Sequence, residues 1–314
     1  MKVTLEKATD LIKKGHTVAI PTETVYGLAA DAFNVNAVKK IFEQKGRPSE
    51  NPLIVHISDF DQLDLLASEI PETVKKLADQ FWPGPLSIVL KKKDSVPDIV
   101  TGGLDTVAIR MPDHPLTLSL IKKTVPLTAP SANKSGRPSP TNIRHIEEDF
   151  GPELPVLDGD SSKIGLESTV VDLSGEKITV LRPGFVDARM IEDVLCQKVW
   201  VADQSDESTQ KKSPGTRFTH YKPRADVQWL VEPILKITDS NHYYLFHRQR
   251  QQSSQKNVHS YDEDYPSLAR DLYDHFRTAD HLSCSTIFIE PFESEISHPI
   301  IPALKDRIEK AISS

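Results

Sequence analysis

The chain has 314 residues, 38% hydrophobic and 26% charged, with 23 Pro and 13 Gly, which is the balance of a soluble globular protein of about two domains rather than a disordered or fibrous one. Its net charge of -7 argues against a protein that coats nucleic acid by bulk electrostatics. No apolar run approaches the roughly 18 residues of a membrane span, and charges interrupt the first turns, so a cytoplasmic protein with no membrane contact is expected.

Taken in chain order, helix-like and strand-like periodicities alternate through the first 200 residues, which predicts an α/β domain. Thr4 to Lys14 reads as a helix stopped by Gly15, and Val18 to Ile20 as a short buried strand. A helix at Asn36 to Gln44 closed by Gly46, a strand at Leu53 to Ile57 and a helix from Pro71 to Phe81 follow. Strands are predicted at Leu86 to Leu90, Val107 to Met111, Thr169 to Leu173 and Ile178 to Leu181. Helices are predicted at His114 to Lys123, Asn142 to Phe150 and Asp187 to Cys196, the last with Asp187 as N-cap. Cys196 and Cys284 have neither CxxC nor Cys/His spacing, so both are expected to be buried free thiols.

Residues 203–212 contain no apolar side chain, a linker composition. The charge changes there. Residues 1–200 carry 24 basic and 28 acidic side chains, 201–224 carry 5 and 3, and 225–314 carry 9 and 14. Beyond this positive island a second α/β pattern is predicted, with strands at Val227 to Val231, Tyr243 to Phe246 and Thr286 to Ile289. Helices are predicted at Ser267 to Thr278 and Ala303 to Ile312, and residues 247–257 as a polar loop. The expected division is a catalytic domain over 1–202, a linker and lid over 203–226, and a small domain over 227–314.

No phosphate-binding P-loop, dinucleotide fingerprint, nucleophile elbow, zinc-protease or kinase signature occurs. Polar clusters instead follow the predicted strands, where open α/β sheets collect ligand groups. PTETVYGLAADA (21–32) groups hydroxyls, a carboxylate and a tyrosine, although alone it also suits a surface turn. KGRPSENPLIVHI (45–57) sets Lys45 and Arg47 about a helix-ending glycine, an arrangement that can also complement the helix dipole. DTVAIRMPDHP (105–115) puts Arg110 in a strand between apolar residues, where its charge needs an acid or an anionic ligand. PLTAPSANKSGRPSPT (126–141) is suited to wrapping an anion, and GLESTVVDLS with VLRPG adds Ser168, Thr169 and Arg182.

Together PTETVYGL, KGRP with NPL, FWPGPLSIVL, AIRMP, APSANKSGRPSPT, ESTVVD and LRPG resemble the YrdC-like family. The segment SPGTRFTHYKP (213–223) resembles the linker motif of its two-domain members, the threonylcarbamoyl-AMP synthases. That resemblance implies a twisted open mixed α/β sheet followed by a small Rossmann-like α/β domain. It implies a nucleotidyltransferase that joins L-threonine, bicarbonate and ATP, with Mg2+ on the phosphates, into threonylcarbamoyl-AMP and pyrophosphate. A threonylcarbamoyl transferase complex would then use the product on tRNA next to the anticodon. Matching motif to motif, the threonine contacts would be Thr24, His56, Arg110, Thr128 and Ser168, with no covalent nucleophile. Arg47, Asn51, Thr106, Pro130, Pro138 and Arg182 would face ATP, and Tyr221 would close over it. Lys45 and Asn133 would be neighbours of the site. Two departures stand out: Asp160 replaces a glycine of the family pattern, and residues 216–219 of the linker motif differ from it. The rival expectation is a non-catalytic module that binds double-stranded RNA or tRNA on the same basic face. A carbamoylating domain of hydrogenase maturation is disfavoured, because the segments that accompany it are missing.

Overall fold

A computed structural model describes residues 1–202, 221–231, 237, 240–248, 255–293 and 297–313. Eleven strands form one mixed sheet: β1 (Lys2–Val3), β2 (Val18–Ile20), β3 (Gly27–Asp31), β4 (Ile54–His56), β5 (Leu86–Lys91), β6 (Thr106–Arg110), β7 (Leu127–Thr128), β8 (Val156–Leu157), β9 (Thr169–Asp172), β10 (Thr179–Arg182) and β11 (Trp200–Val201). Their spatial order is β1-β8-β2-β3-β7-β4-β6-β5-β9-β10-β11. The helices between them are α1 (Leu5–Lys13), α2 (Val35–Lys45), α3 (Glu72–Phe81), α4 (Asp98–Thr101), α5 (Pro115–Lys123), α6 (Ile143–Phe150) and α7 (Ala188–Leu195). Short polar side chains start several of them: Thr4, Asn34, Asn142 and Asp187 accept from the backbone N–H three residues on, satisfying a donor the helix cannot.

The strands that bear the site alternate in character. In β4 and β6, Val55, Val107 and Ile109 join the large apolar core with Phe42 of α2, Leu77 of α3 and Ile191 of α7. Because side chains alternate across a strand, His56 and Arg110 project to the opposite face, and they are register partners on parallel neighbouring strands.

Two strands lie beyond the sequence expectations, and the expected burial of one cysteine needs correction. Residues 27–31, inside a stretch that also suited a turn, form β3, paired antiparallel with both β2 and β7. Its alanines carry no strand signal of their own, and burial between two neighbours selects the extended form. Val258–Ser260 is a strand too, at the margin of the predicted polar loop; the part of that loop at 249–254 lies outside the described residues, as do the linker at 203–212 and the variant positions 216–219. Both cysteines are free, but Cys196 is exposed while Cys284 is buried. Cys196 caps α7 in the left-handed conformation (φ 52°), which leaves its side chain at the helix end in solvent. Asp160 also takes that conformation (φ 65°), so the turn suited to glycine is kept with an aspartate in it.

The second sheet is wholly parallel, in the order β12 (Asp226–Trp229), β15 (Thr286–Ile289), β13 (His242–Phe246) and β14 (Val258–Ser260). Its helices α8 (Tyr265–His281) and α9 (Ile301–Ile312) also pack on the first unit. Val25 and Leu166 of the first unit enter the apolar cluster of the second. Arg277 of α8, 1% exposed, donates to Glu148, to both oxygens of Asp149 and to the Pro138 carbonyl at 2.6–3.1 Å. Arg307 of α9, fully buried, donates to Glu167 (2.8 Å), to the Pro183 carbonyl (3.1 Å) and to Asp306. The seam is close enough that a Cβ on Gly165 (φ +80°) would stand 2.3 Å from the Arg270 backbone.

Gly165→Ala is therefore expected to cost about 2–4 kcal/mol, from left-handed strain plus the forced separation of backbones. Gly46→Ala, at a similar φ with open space around it, should cost only about 1 kcal/mol. Urea denaturation of both variants checks this, and equal losses would show that the seam yields freely.

Candidate functional site

A cavity opens on the polar face of the first sheet. Its walls come from the β2–β3 turn (Thr22, Thr24, Val25, Gly27), the segment after α2 (Arg47, Leu53), β4 (Ile54, His56) and β6 (Arg110). The segment after β7 (Ala129, Pro130, Ser131), the entry to β9 (Glu167, Ser168), the end of β10 (Arg182) and Tyr221 complete it. The lining is rich in cations and hydroxyls, the chemistry of an anion site with polar specificity.

Arg110 is 4% exposed and held on three sides: Nε donates to the Gly84 carbonyl (3.0 Å), Nη1 to the Thr24 hydroxyl (2.9 Å) and Nη2 to Glu23 Oε1 (2.5 Å). Glu23 is the acid that the buried charge requires. A guanidinium has five N–H groups, so two remain to meet a ligand carboxylate. Beside it, burial and the Arg110 charge push the His56 imidazole down to about 3, so the ring is neutral at physiological pH.

Arg182, also 4% exposed, donates from Nε and Nη2 to the Ser168 carbonyl (3.1 and 2.9 Å) and from Nη2 to its hydroxyl (3.2 Å). Ser168 Oγ in turn lies 2.7 Å from Ser87 Oγ. Arg47 donates to the Pro52 carbonyl (3.0 Å), while its buried Nε has no hydrogen-bond partner among the described residues. Burial first, and the Arg182 charge as well, push its guanidinium down to about 10, opposed by Tyr221. Two guanidinium groups that repel each other in one wall are strongly disposed to take an anion.

Lys45 explains how the APSAN segment is held. It is 3% exposed and its Nζ donates to the carbonyls of Ser131 and Asn133, both at 2.6 Å. It is thus a staple between α2 and the loop after β7, and Asn133 ties that loop further through the Lys134 and Arg137 carbonyls.

Of the residues named from sequence, Thr24, Arg47, His56, Arg110, Pro130, Ser168, Arg182 and Tyr221 line this one cavity, and Thr128, Asn51, Thr106 and Pro138 do not. For Thr128 the reason is register. It pairs with Val55, not with His56, and cross-strand partners share a face, so it shares that of a core residue. Thr106 begins β6, four residues and about 13 Å from Arg110. The Pro138 carbonyl is taken by Arg277 at the seam, and Asn51 is a buried turn residue bonded through its N–H to Pro48. Thr22, Ser131 and Glu167 were not singled out. ESTV contains Glu167 beside Ser168, but only the fold shows that its carboxylate enters the wall.

Two family profiles match the chain: one described as "Telomere recombination", of the Sua5, YciO and YrdC proteins, over residues 10–184, and "Threonylcarbamoyl-AMP synthase, C-terminal domain" over 186–313. A Pyrococcus abyssi protein named threonylcarbamoyl-AMP synthase is 42% identical over 301 residues, covering 92% of this chain and 88% of its own. A Bacillus subtilis protein of the same name is 47% identical over 224 residues, 70% of this chain and 65% of that one. The crystal structure of P. abyssi Sua5 complexed with L-threonine superposes with a TM-score of 0.90 at 38% identity, over 100% of this chain and 97% of that one. The chain belongs to the Sua5/YciO/YrdC family, in the two-domain branch that carries the threonylcarbamoyl-AMP synthase C-terminal domain.

Proposed function

We propose that the chain is a threonylcarbamoyl-AMP synthase, a nucleotidyltransferase that condenses L-threonine, bicarbonate and ATP for the modification of tRNA next to the anticodon. The observation that carries this reading is one cavity with two cationic groupings, Arg110 beside Thr24 and His56, and Arg47 with Arg182. Arg110 takes the threonine carboxylate on its two remaining N–H groups, with Thr24, His56 and Ser168 around the amino acid. Arg47 and Arg182 take the phosphates, with Pro130 and Tyr221 beside the nucleotide. The names of the relatives and the threonine bound in the P. abyssi structure support the assignment.

The reaction follows from this placement. The threonine amine attacks carbon at the bicarbonate level, loses a proton and forms a carbamate with release of water. A carbamate oxygen then attacks the α-phosphorus, and its P–O bond forms as the bond to pyrophosphate breaks. The protein brings anions together and offsets their repulsion, which requires preset cations rather than a nucleophile. Mg2+ carried on the triphosphate would neutralise part of its charge there. Among the described residues no group of three or more His, Cys, Asp or Glu side chains could cage it, and Glu167 in the cavity wall is already engaged. The adenylate passes to a threonylcarbamoyl transferase complex that acts on tRNA. No helix among the described residues is long and apolar enough to cross a membrane. The rival RNA-binding module is poorly served by this geometry, because a duplex backbone cannot reach Arg110 and Arg182, each 4% exposed inside a cavity.

Pyrophosphate release from ATP, measured with and without threonine and bicarbonate, tests the assignment: release should need both, and release indifferent to threonine would sink it. Arg110→Lys keeps a charge for Glu23 but loses the fork, so threonine affinity should fall roughly ten- to a hundredfold while ATP affinity stays within about twofold. Calorimetric titration of each ligand reads the difference, and equal losses would contradict the role. His56 titrates far below neutrality, so threonine affinity should show no inflection from it between pH 5 and 8. An imidazole held at about 3 against an ordinary 6.5 instead costs stability as pH falls through that interval, because the unfolded chain takes up the proton first. An inflection near pH 6.5 that His56→Gln removes would overturn this.

A further inference from the structure

Among the described residues, Tyr221 is the one residue beyond the first unit in the cavity lining. The second unit nevertheless reaches the wall indirectly. Glu167, 7% exposed, lies in that wall among three arginines, and its carboxylate is claimed from the far side: Arg307 Nε donates at 2.8 Å and the Tyr273 hydroxyl at 2.9 Å, both from the second unit. Ser139 donates at 2.5 Å from the first. Arg307 also lies under the Tyr221 ring, 5.4 Å from its centroid, and Tyr221 stacks on Tyr273 at 5.5 Å. Burial pushes the Glu167 carboxyl up, but Arg307, then Arg182 and the Ser139 hydroxyl outweigh it and hold it below the usual carboxylate range. After Arg307, Arg182 is the cation that bears most on this carboxylate.

We propose that Arg307 is a positioning residue for the nucleotide end of the site: by binding Glu167 from behind and supporting the Tyr221 ring, it cancels the one carboxylate seen in the described wall and leaves that wall cationic. The inference rests on the reading that Arg47 and Arg182 receive the phosphates. Its physical basis is charge balance. Without Arg307, a buried anion would face a polyanionic ligand and draw on Arg182, the group that ligand needs, in a site where weak screening makes such repulsion large. Threonine, held at Arg110 with Glu23 as its own counterion, would feel the change far less. Arg307 thus acts on ATP affinity without itself touching ATP.

Calorimetric titrations of the full chain with Mg2+–ATP and, separately, with L-threonine test this. Arg307→Met should weaken ATP roughly tenfold or more and leave threonine within about threefold. Adding Glu167→Gln to that variant should return ATP affinity to within about threefold of the unaltered chain, a rescue that a merely structural arginine would not permit. Equal loss of both ligands, or no rescue, would overturn the proposal. If Arg307→Met has no cooperative thermal transition, Glu167→Gln alone decides: with the anion gone and Arg307 kept, ATP should bind more tightly at unchanged threonine affinity, and weaker ATP binding overturns the role. Failure of the unaltered chain to bind ATP at all would remove the functional reading and this inference with it.

Discussion

A guanidinium taken out of water must be given an anion or a set of acceptors, because its desolvation cost exceeds what packing alone returns. Four arginines, Arg110, Arg182, Arg277 and Arg307, are buried to 4% exposure or less among the described residues. Where each finds its compensation organises the molecule. Arg277 and Arg307 are matched across the seam by Asp149, Glu148 and Glu167, and so fix how the two units meet. Arg110 is matched by Glu23 and keeps a free edge toward the cavity. Arg182 is bonded to the carbonyl and hydroxyl of Ser168 and remains part of the wall.

Buried ion pairs of this kind are not by themselves a large contribution to net stability. Replacing a pair with well-packed apolar groups is often neutral, whereas removing one member leaves an uncompensated charge. The apolar contribution at the seam comes from Val25 and Leu166, which are held in the cluster formed by α8 and α9. Both sit directly beside residues of the site, Thr24 and Glu167. Docking of the second unit and the shape of the cavity are therefore two consequences of the same packing. Lys45 plays a comparable part inside the first unit: burial and the Arg47 charge hold its amine well below the usual lysine range, and its Nζ donates to the Ser131 and Asn133 carbonyls, holding the loop that closes the cavity.

The chemistry asked of such a site is modest in covalent terms and demanding in electrostatic ones. A carboxylate, a carbamate and a triphosphate repel one another in water, and preset donors lower that repulsion without reorganising during the reaction. The neutral His56 fits this division, since it offers a hydrogen-bonding edge near Arg110 without adding a charge that Glu23 would have to share.

Much of the fold was legible in sequence because periodicity and capping are local. The helix starts at Thr4, Asn142 and Asp187 follow from short polar side chains ahead of apolar repeats. The ordered motifs also marked residues that line the cavity, since a loop that follows a strand keeps its place at the sheet edge. What no local pattern carries is register and partnership. That Thr128 turns away with Val55, that Gly27–Asp31 is a strand despite its alanines, and that Cys196 ends a helix in solvent depend on which neighbours burial supplies. The role of Glu167 depends on Arg307, 140 residues away along the chain. Local patterning specified the elements, the family motifs and the cationic character of the cleft. Which charges neutralise one another was set by the fold, because that depends on distances between residues remote in the chain.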